Sequence, residues 1–168
     1  MIRQAIVQDL ERIYTIESEC FDDPWPREDF SWLLKQPLCD ILVVESDAAG
    51  VCGFSISRYS PPVADIIDLA VLPALRRNGY AASLLQAVTR QSVAHHCYTL
   101  FLEVRCSNQA AISLYKKNGY TEIDRIQKYY ADGEDGLLLR LLISETRESD
   151  FTAERTEDDN GTQDQNLP

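Results

Sequence analysis

No run of about eighteen apolar residues occurs anywhere in these 168 positions, so the chain offers no candidate membrane-spanning helix. Nor does it open on a basic stretch followed by an apolar one, the pattern of a secretory leader. A cytoplasmic protein with no membrane partner is expected. Histidine is scarce: His95 and His96 are the two present, and adjacent residues point apart on a helix. They read as a partly exposed helix end, and no metal is expected. Cysteine is sparse as well, at positions 20, 39, 52, 97 and 106. An odd number without Cys-x-x-Cys spacing, set mostly among apolar neighbours, argues for buried free thiols and against a disulfide framework or a zinc site. Positive charge is also in short supply: 16 Lys and Arg stand against 27 Asp and Glu, for a net charge of −11. Such a surface repels nucleic acid, so no direct nucleic-acid partner is expected, whereas a cationic peptide terminus would be attracted.

The acidity is uneven. Residues 144–168 carry eight acids against Arg147 and Arg155, with almost no apolar side chains. This acidic tail cannot offset its ordering entropy, and disorder is expected beyond about residue 148. Residues 1–143 keep 19 acids against 14 bases, a balance of −5, and are long enough to build one domain with a substantial core.

Periodicity divides that domain into alternating elements. A strand is expected at 2–6 and a helix at 9–21, with Leu10, Ile13, Ile16 and Cys20 on one stripe. A second short helix follows Pro24-Trp25-Pro26, over 27–35. Apolar runs at 41–45 and 51–56 flank Ala48-Ala49-Gly50 and read as a hairpin. Pro61-Pro62 marks a loop before a fourth strand at 66–71. A long helix over 79–95, a strand at 99–105, a helix running to Asn118 and a final pair of strands around Asp132-Gly133 complete the pattern. Helices in the middle and hairpins at both ends imply an α/β (α+β) fold on a mixed sheet. The ligands of such sheets lie near the carboxyl ends of neighbouring strands, here Val71 and Arg105.

Two segments at those strand ends carry chemistry. The first is Leu69-Ala70-Val71-Leu72-Pro73-Ala74-Leu75-Arg76-Arg77-Asn78-Gly79-Tyr80-Ala81-Ala82. A strand leads into a basic Arg-x-x-Gly-x-Ala turn and then a helix, whose N-terminus offers unpaired N–H groups and a positive dipole end. Gly79 and the small Ala81 leave room for a phosphate there, and Arg76 and Arg77 supply charge. The turn is neither a P-loop nor a dinucleotide fingerprint, and by itself it also fits a solvated helix start. The second segment is Leu102-Glu103-Val104-Arg105-Cys106-Ser107-Asn108, leading through a helix with Leu114-Tyr115 to a stop at Gly119.

With Cys20-Phe21-Asp22-Asp23-Pro24-Trp25-Pro26 and Lys128-Tyr129-Tyr130-Ala131-Asp132-Gly133-Glu134-Asp135, these blocks resemble the GCN5-related N-acetyltransferase (GNAT) superfamily. The likeness is to its RimI-type and archaeal Ard-type protein N-terminal acetyltransferases, over residues 1–143. The resemblance implies a mixed, mostly antiparallel central sheet of about seven strands with four helices. It implies acetyl-CoA as cosubstrate, held in a gap where the fourth and fifth strands splay. Leu69, Ala70, Val71, residues 76–82 and Asn108 would bind it, with the backbone N–H of Leu69 or Val71 facing the oxyanion. The substrate implied is the α-amino group of protein N-termini with a small first residue such as Ala or Ser, ribosomal proteins like S18 among them, with the enzyme a monomer or weak dimer.

An amine attacking a thioester must lose a proton, and the departing thiolate must gain one. Glu103, in an otherwise apolar strand where burial would raise its pKa, matches the family's general base. On the residues alone it reads equally well as an outward-facing carboxylate paired with Arg105. Tyr115 matches the proton donor to the CoA sulfur; on pattern alone a packing tyrosine is the plainer reading. Asn108 also suits simple N-capping. Phe21 and Trp25 on one side and Tyr130 on the other, with Tyr129 a weaker candidate, would wall a narrow peptide cleft; the plain alternative for the Tyr pair is alternation on a strand. A lysine or small-amine acetyltransferase, or a non-catalytic acetyl-CoA-binding module, would share most of these features.

Overall fold

The computed structural model describes residues 1–143 of the chain. The expectation for the acidic tail lies outside the described residues. Seven strands form one sheet in the order β1-β2-β3-β4-β5-β7-β6: β1 (Ile2–Gln4), β2 (Cys39–Ser46), β3 (Gly50–Ser60), β4 (Val63–Val71), β5 (Thr99–Arg105), β6 (Thr121–Ile126) and β7 (Gly136–Leu142). All neighbours are antiparallel except β4 and β5. Four helices accompany the sheet: α1 (Leu10–Cys20), α2 (Arg27–Leu33), α3 (Tyr80–Ala94) and α4 (Gln109–Lys117). This is the expected mixed, mostly antiparallel sheet with four helices. Among the described residues no helix is long and apolar enough to cross a membrane.

Each helix buries the stripe its sequence presents. In α1 the inward residues are Ile13, Ile16 and Glu17, a stripe with one carboxylate in it. In α2 they are Phe30 and Leu33, and the Phe30 ring meets Phe54 of β3 edge-on at 6.0 Å. Phe54 and Ile56 thus face α1 and α2, and Gly53, Ser55 and Ser57 face α3, because side chains alternate along a strand. On α3, Leu84, Leu85 and Val88 pack against the sheet; burying each apolar side chain of this size contributes roughly 1.5–3 kcal/mol. Asn108 caps α4, its side chain accepting the Ala111 N–H at 3.1 Å, and Gly119 at φ 90° ends it. Lys116 and Lys117 lie in the last turn, where the helix dipole favours them.

Several details depart from the sequence expectation. The first strand stops at Gln4 because Asp9 accepts the Ile6 N–H at 2.8 Å and closes a 3-10 turn over Val7–Asp9. Pro61-Pro62 is a tight turn rather than a loop, so β3 and β4 form one long hairpin. Tyr129 and Tyr130 lie in the β6–β7 connection and not on a strand, for a reason given below. All five cysteines are free, but only Cys52 and Cys97 are fully buried; Cys20, Cys39 and Cys106 are half-buried. His95 ends α3 and stacks on Tyr59 at 4.0 Å between ring centroids.

The feature that positions the site is a fault in the sheet. The parallel pairing of β4 with β5 covers Val63, Ala64 and Asp65 against Thr99, Leu100 and Phe101 and then stops, although the strands run on to Val71 and Arg105. Beyond that point the two strands diverge into a wedge-shaped gap.

Candidate active site

The gap has unpaired backbone donors on its β4 wall. The Leu72 N–H donates to Cys52 O of β3 at 2.9 Å. Since N–H groups alternate sides along a strand, Ala70 also turns to β3, while Leu69 and Val71 turn into the gap. Of the three strand positions named from sequence, Ala70 therefore keeps its backbone in the ladder and the other two face the opening. The Val71 carbonyl points the same way and is already occupied: Arg76 Nε donates to it at 3.1 Å and Cys20 Sγ at 3.4 Å. Arg76 thus folds back over the strand end rather than standing free beside Arg77.

The turn after β4 presents the start of α3. Arg77 at φ 69° and Gly79 at φ 84° are both left-handed, and Asn78 Nδ2 donates to the Leu75 and Arg76 carbonyls. This geometry turns the chain sharply into α3, where the N–H groups of Tyr80, Ala81 and Ala82 have no intrahelical acceptor. No heavy atom lies within 4 Å of where a Cβ on Gly79 would sit, so the space before the helix is open. Gap, free donors and an open, basic helix start suit an extended ligand with an anionic phosphate end.

Tyr115 of α4 lies beside the gap, 8% exposed, with its ring 5.8 Å from that of Tyr120. Burial holds its hydroxyl protonated well above the usual tyrosine range, and Asp68, where ionised, adds to this. Glu103 lies on the opposite face of the sheet, the face shared with Asp65 and Phe101, and is exposed. It is not the buried carboxylate its apolar strand suggested, because among the described residues no helix covers this face of β5. Its pKa is raised nonetheless, first by partial desolvation and then by the negative charge of Asp65. Arg105, the alternative partner, is engaged elsewhere, donating to Asp132 at 2.8 Å and Glu134 at 2.9 Å. Asn108 is the α4 cap described above.

Two loops carry the aromatic side chains expected to wall a peptide cleft. In one, Phe21 is 40% exposed and Trp25 packs against Phe30 at 6.2 Å between centroids. In the other, Tyr129 and Tyr130 meet edge-to-face at 5.1 Å, and both hydroxyls feel the Glu103 charge; that of Tyr130 is pushed up to about 12, mainly by burial. The acidic run after them explains why they are not on a strand. Asp132 and Glu134 bind Arg105, Glu134 also accepts the Ser107 N–H at 2.8 Å, and Asp135 binds Arg125 and the Lys128 N–H, both at 2.9 Å. These contacts fold the segment into a fixed loop whose Tyr130 ring lies under the Arg105 guanidinium at 4.0 Å.

Two residues escape a reading by motif. Glu17 of α1 is 1% exposed, and Asp68 of β4 sits against it between the gap and α1. The signal was present as acids inside apolar patterns, Ile13 to Glu17 at helical spacing and Ile66-Ile67-Asp68-Leu69 on a strand. Among the described residues no group of three or more His, Cys, Asp or Glu side chains is placed to hold a metal.

Comparison with known proteins agrees with this geometry. The model of the Acetyltransferase (GNAT) family matches residues 6–120. An N-alpha-acetyltransferase of Sulfurisphaera tokodaii is 33% identical over 150 residues, covering 82% of this chain and 90% of that protein. A ribosomal protein bS18-alanine N-acetyltransferase of Haemophilus ducreyi is 32% identical over 147 residues, covering 85% of this chain and all of that one. Among solved structures, the ribosomal-protein-S18-alanine N-acetyltransferase of Escherichia coli superposes with a TM-score of 0.78 at 29% identity, covering 86% of this chain and 94% of that one. Ard1 of Thermoplasma volcanium superposes at 0.79 with 25% identity, covering 86% and 98%. The chain belongs to the GNAT acetyltransferase family.

Proposed function

We propose that the protein transfers the acetyl group of acetyl-CoA to the α-amino group of protein N-termini whose first residue is small, Ala or Ser, ribosomal proteins among them. The observation that carries this reading is the β4–β5 gap with Tyr115 beside it and Glu103 on the open face between two loops. The names borne by the relatives in bacteria and archaea support the choice of α-amine. Acetyl-CoA, when bound, supplies the activated thioester. The first turn of α3, with Arg77, would hold its phosphates, and the gap its extended arm.

In this reading Glu103 takes the proton of the incoming ammonium, directly or through water, its raised pKa bringing it nearer that of the amine. The Val71 N–H faces the oxygen on which negative charge develops. Tyr115 gives its proton to the departing sulfur. Phe21 and Trp25 on one side and Tyr130 on the other leave a cleft for a free chain end, and the acids around Glu103 favour a cation there.

The test is CoA release with short peptides beginning Ala, Ser, Met-Leu or acetyl-Ala, each with one internal lysine. Turnover of the free Ala and Ser termini but not of acetyl-Ala is expected. Equal turnover of acetyl-Ala would move the target to lysine. No turnover despite tight CoA binding would leave a binding module.

A further inference from the structure

The Glu17 carboxylate is divided between two tasks. Its Oε1 accepts the Trp25 N–H at 3.1 Å, across the break between α1 and α2. Its Oε2 is buried and finds no hydrogen-bond donor among the described residues. A buried carboxylate oxygen without a donor is costly, and the group beside it, Asp68, is another carboxylic acid. Two ionised carboxylates in contact repel, whereas a proton held by one satisfies the orphan oxygen of the other.

We propose that Asp68 holds that proton and donates it to Glu17 Oε2. The resulting clasp fastens the α1–α2 loop to β4 and sets the position of the Trp25 wall. Both partners then have defined bonds: Glu17 to Trp25 and Asp68, Asp68 to Glu17. The pKa values of both acids are raised, chiefly by burial, and Asp68 the more strongly, in keeping with this assignment. The clasp has a second effect. Asp68 directly precedes Leu69, whose backbone N–H favours the ionised carboxyl but is outweighed by burial and Glu17, and an ionised Asp68 would act on Tyr115. Kept neutral, it puts no negative charge beside a site where negative charge must develop. Glu17 and Asp68 are thus positioning residues, neither touching the reacting atoms.

The groups facing the pair are few. From α1 come Cys20 and, further off, Glu19; from α4 comes Tyr115; from the turn after β4 comes Arg76, which touches Cys20. As pH rises the shared proton is lost to solvent, the two carboxylates repel, and the loop is released from β4.

Trp25 reports the clasp without any need for turnover. Trp32 is 61% exposed and can be replaced by Phe, leaving Trp25 the sole tryptophan. In the full chain carrying W32F, acrylamide quenching of Trp25 is followed from pH 5 to 10. Quenching is expected to rise several-fold in one alkaline transition. D68N supplies a permanent N–H donor to Glu17, so its loop stays protected across the range; E17A leaves Trp25 accessible at every pH. Cys20 and Tyr115 keep their thiol and hydroxyl in all three proteins, so a transition present in the parent and absent from D68N belongs to the pair. Absence of a transition in the parent, an unchanged transition in D68N, or a protected Trp25 in E17A would each overturn the clasp. Circular dichroism confirms that each variant is folded, and E17Q, another non-titrating partner, repeats the D68N comparison.

The kinetic consequence rests on the reading of this loop as a wall of the peptide cleft. In E17A the peptide KM is expected to rise about tenfold with the acetyl-CoA KM little changed. If quenching behaves as expected and the peptide KM does not move, the clasp stands and that reading of the loop fails.

Discussion

Arg105 lies with its guanidinium 4.0 Å from the centre of the Tyr130 ring while the same group binds Asp132 and Glu134. One side chain thus joins the end of β5, beside Glu103, to the loop that carries the tyrosines. Each contact is largely exposed and worth little alone. Together they fix a loop, so Arg105→Gln is expected to raise the peptide KM about tenfold while kcat and the acetyl-CoA KM change little. Steady-state kinetics in both substrates would check this, and an unchanged peptide KM would remove the loop from the peptide cleft.

Glu103→Gln preserves shape and removes the proposed base. A loss of about 10²–10⁴ in kcat is expected. The pH profile is the sharper readout. A base must be ionised, and burial with the Asp65 charge raises the pKa of Glu103, so the acid limb of kcat/KM in the parent should fall above the ordinary glutamate range. The variant should lose that limb, and a limb that persists would point to another base.

Tyr115→Phe tests the proposed acid in a different way. The hydroxyl is held protonated chiefly by burial, and no hydrogen bond to it is found among the described residues. Its removal should lower kcat by a similar factor while thermal stability changes by less than about 1 kcal/mol. Stability lost in step with activity would make it a packing residue.

Gly53 is where backbone spacing controls the site. A Cβ there would meet Ala70 O at 2.8 Å and Val71 Cγ2 at 2.9 Å. Gly53→Ala should therefore displace the end of β4, destabilise the fold by about 1–3 kcal/mol and weaken acetyl-CoA binding. Thermal melting with and without CoA measures both effects.

Acid sensitivity should trace to the start of the chain. Asp9 accepts from Arg3 at 2.6 Å and from the Ile6 N–H, and its pKa is lowered, chiefly by the bond to Arg3. A lowered acid stabilises the fold above its unfolded pKa of about 3.9, and that contribution is lost as pH falls through the folded value. Asp9→Asn should cost about 1–3 kcal/mol at pH 7 and flatten the fall of Tm with pH below about 4.

Much of this architecture was legible because it depends on local pattern. The stripes of α1 and α3, the cap at Asn108 and the stop at Gly119 are fixed by neighbours within a few residues. The family blocks carried Glu103, Tyr115 and the turn through Arg76 to Ala82. The rest depends on partners distant in sequence. That Glu103 is exposed follows from the lack, among the described residues, of a helix over its face of β5, which no strand pattern reveals. Tyr129 and Tyr130 leave the strand because Arg105 and Arg125 capture the acids behind them. Glu17 and Asp68 each look like a lone acid in an apolar run, and only the packing of α1 on β4 brings them together.

With only three residue pairs joining β4 to β5, the sheet is in effect two panels hinged along a short seam. A cosubstrate threaded along the open edges would add the missing rungs and act as a splint. Melting temperature should then climb with its concentration. Amide exchange should slow most at Leu69 and Val71, whose N–H groups would pair with the threaded cosubstrate.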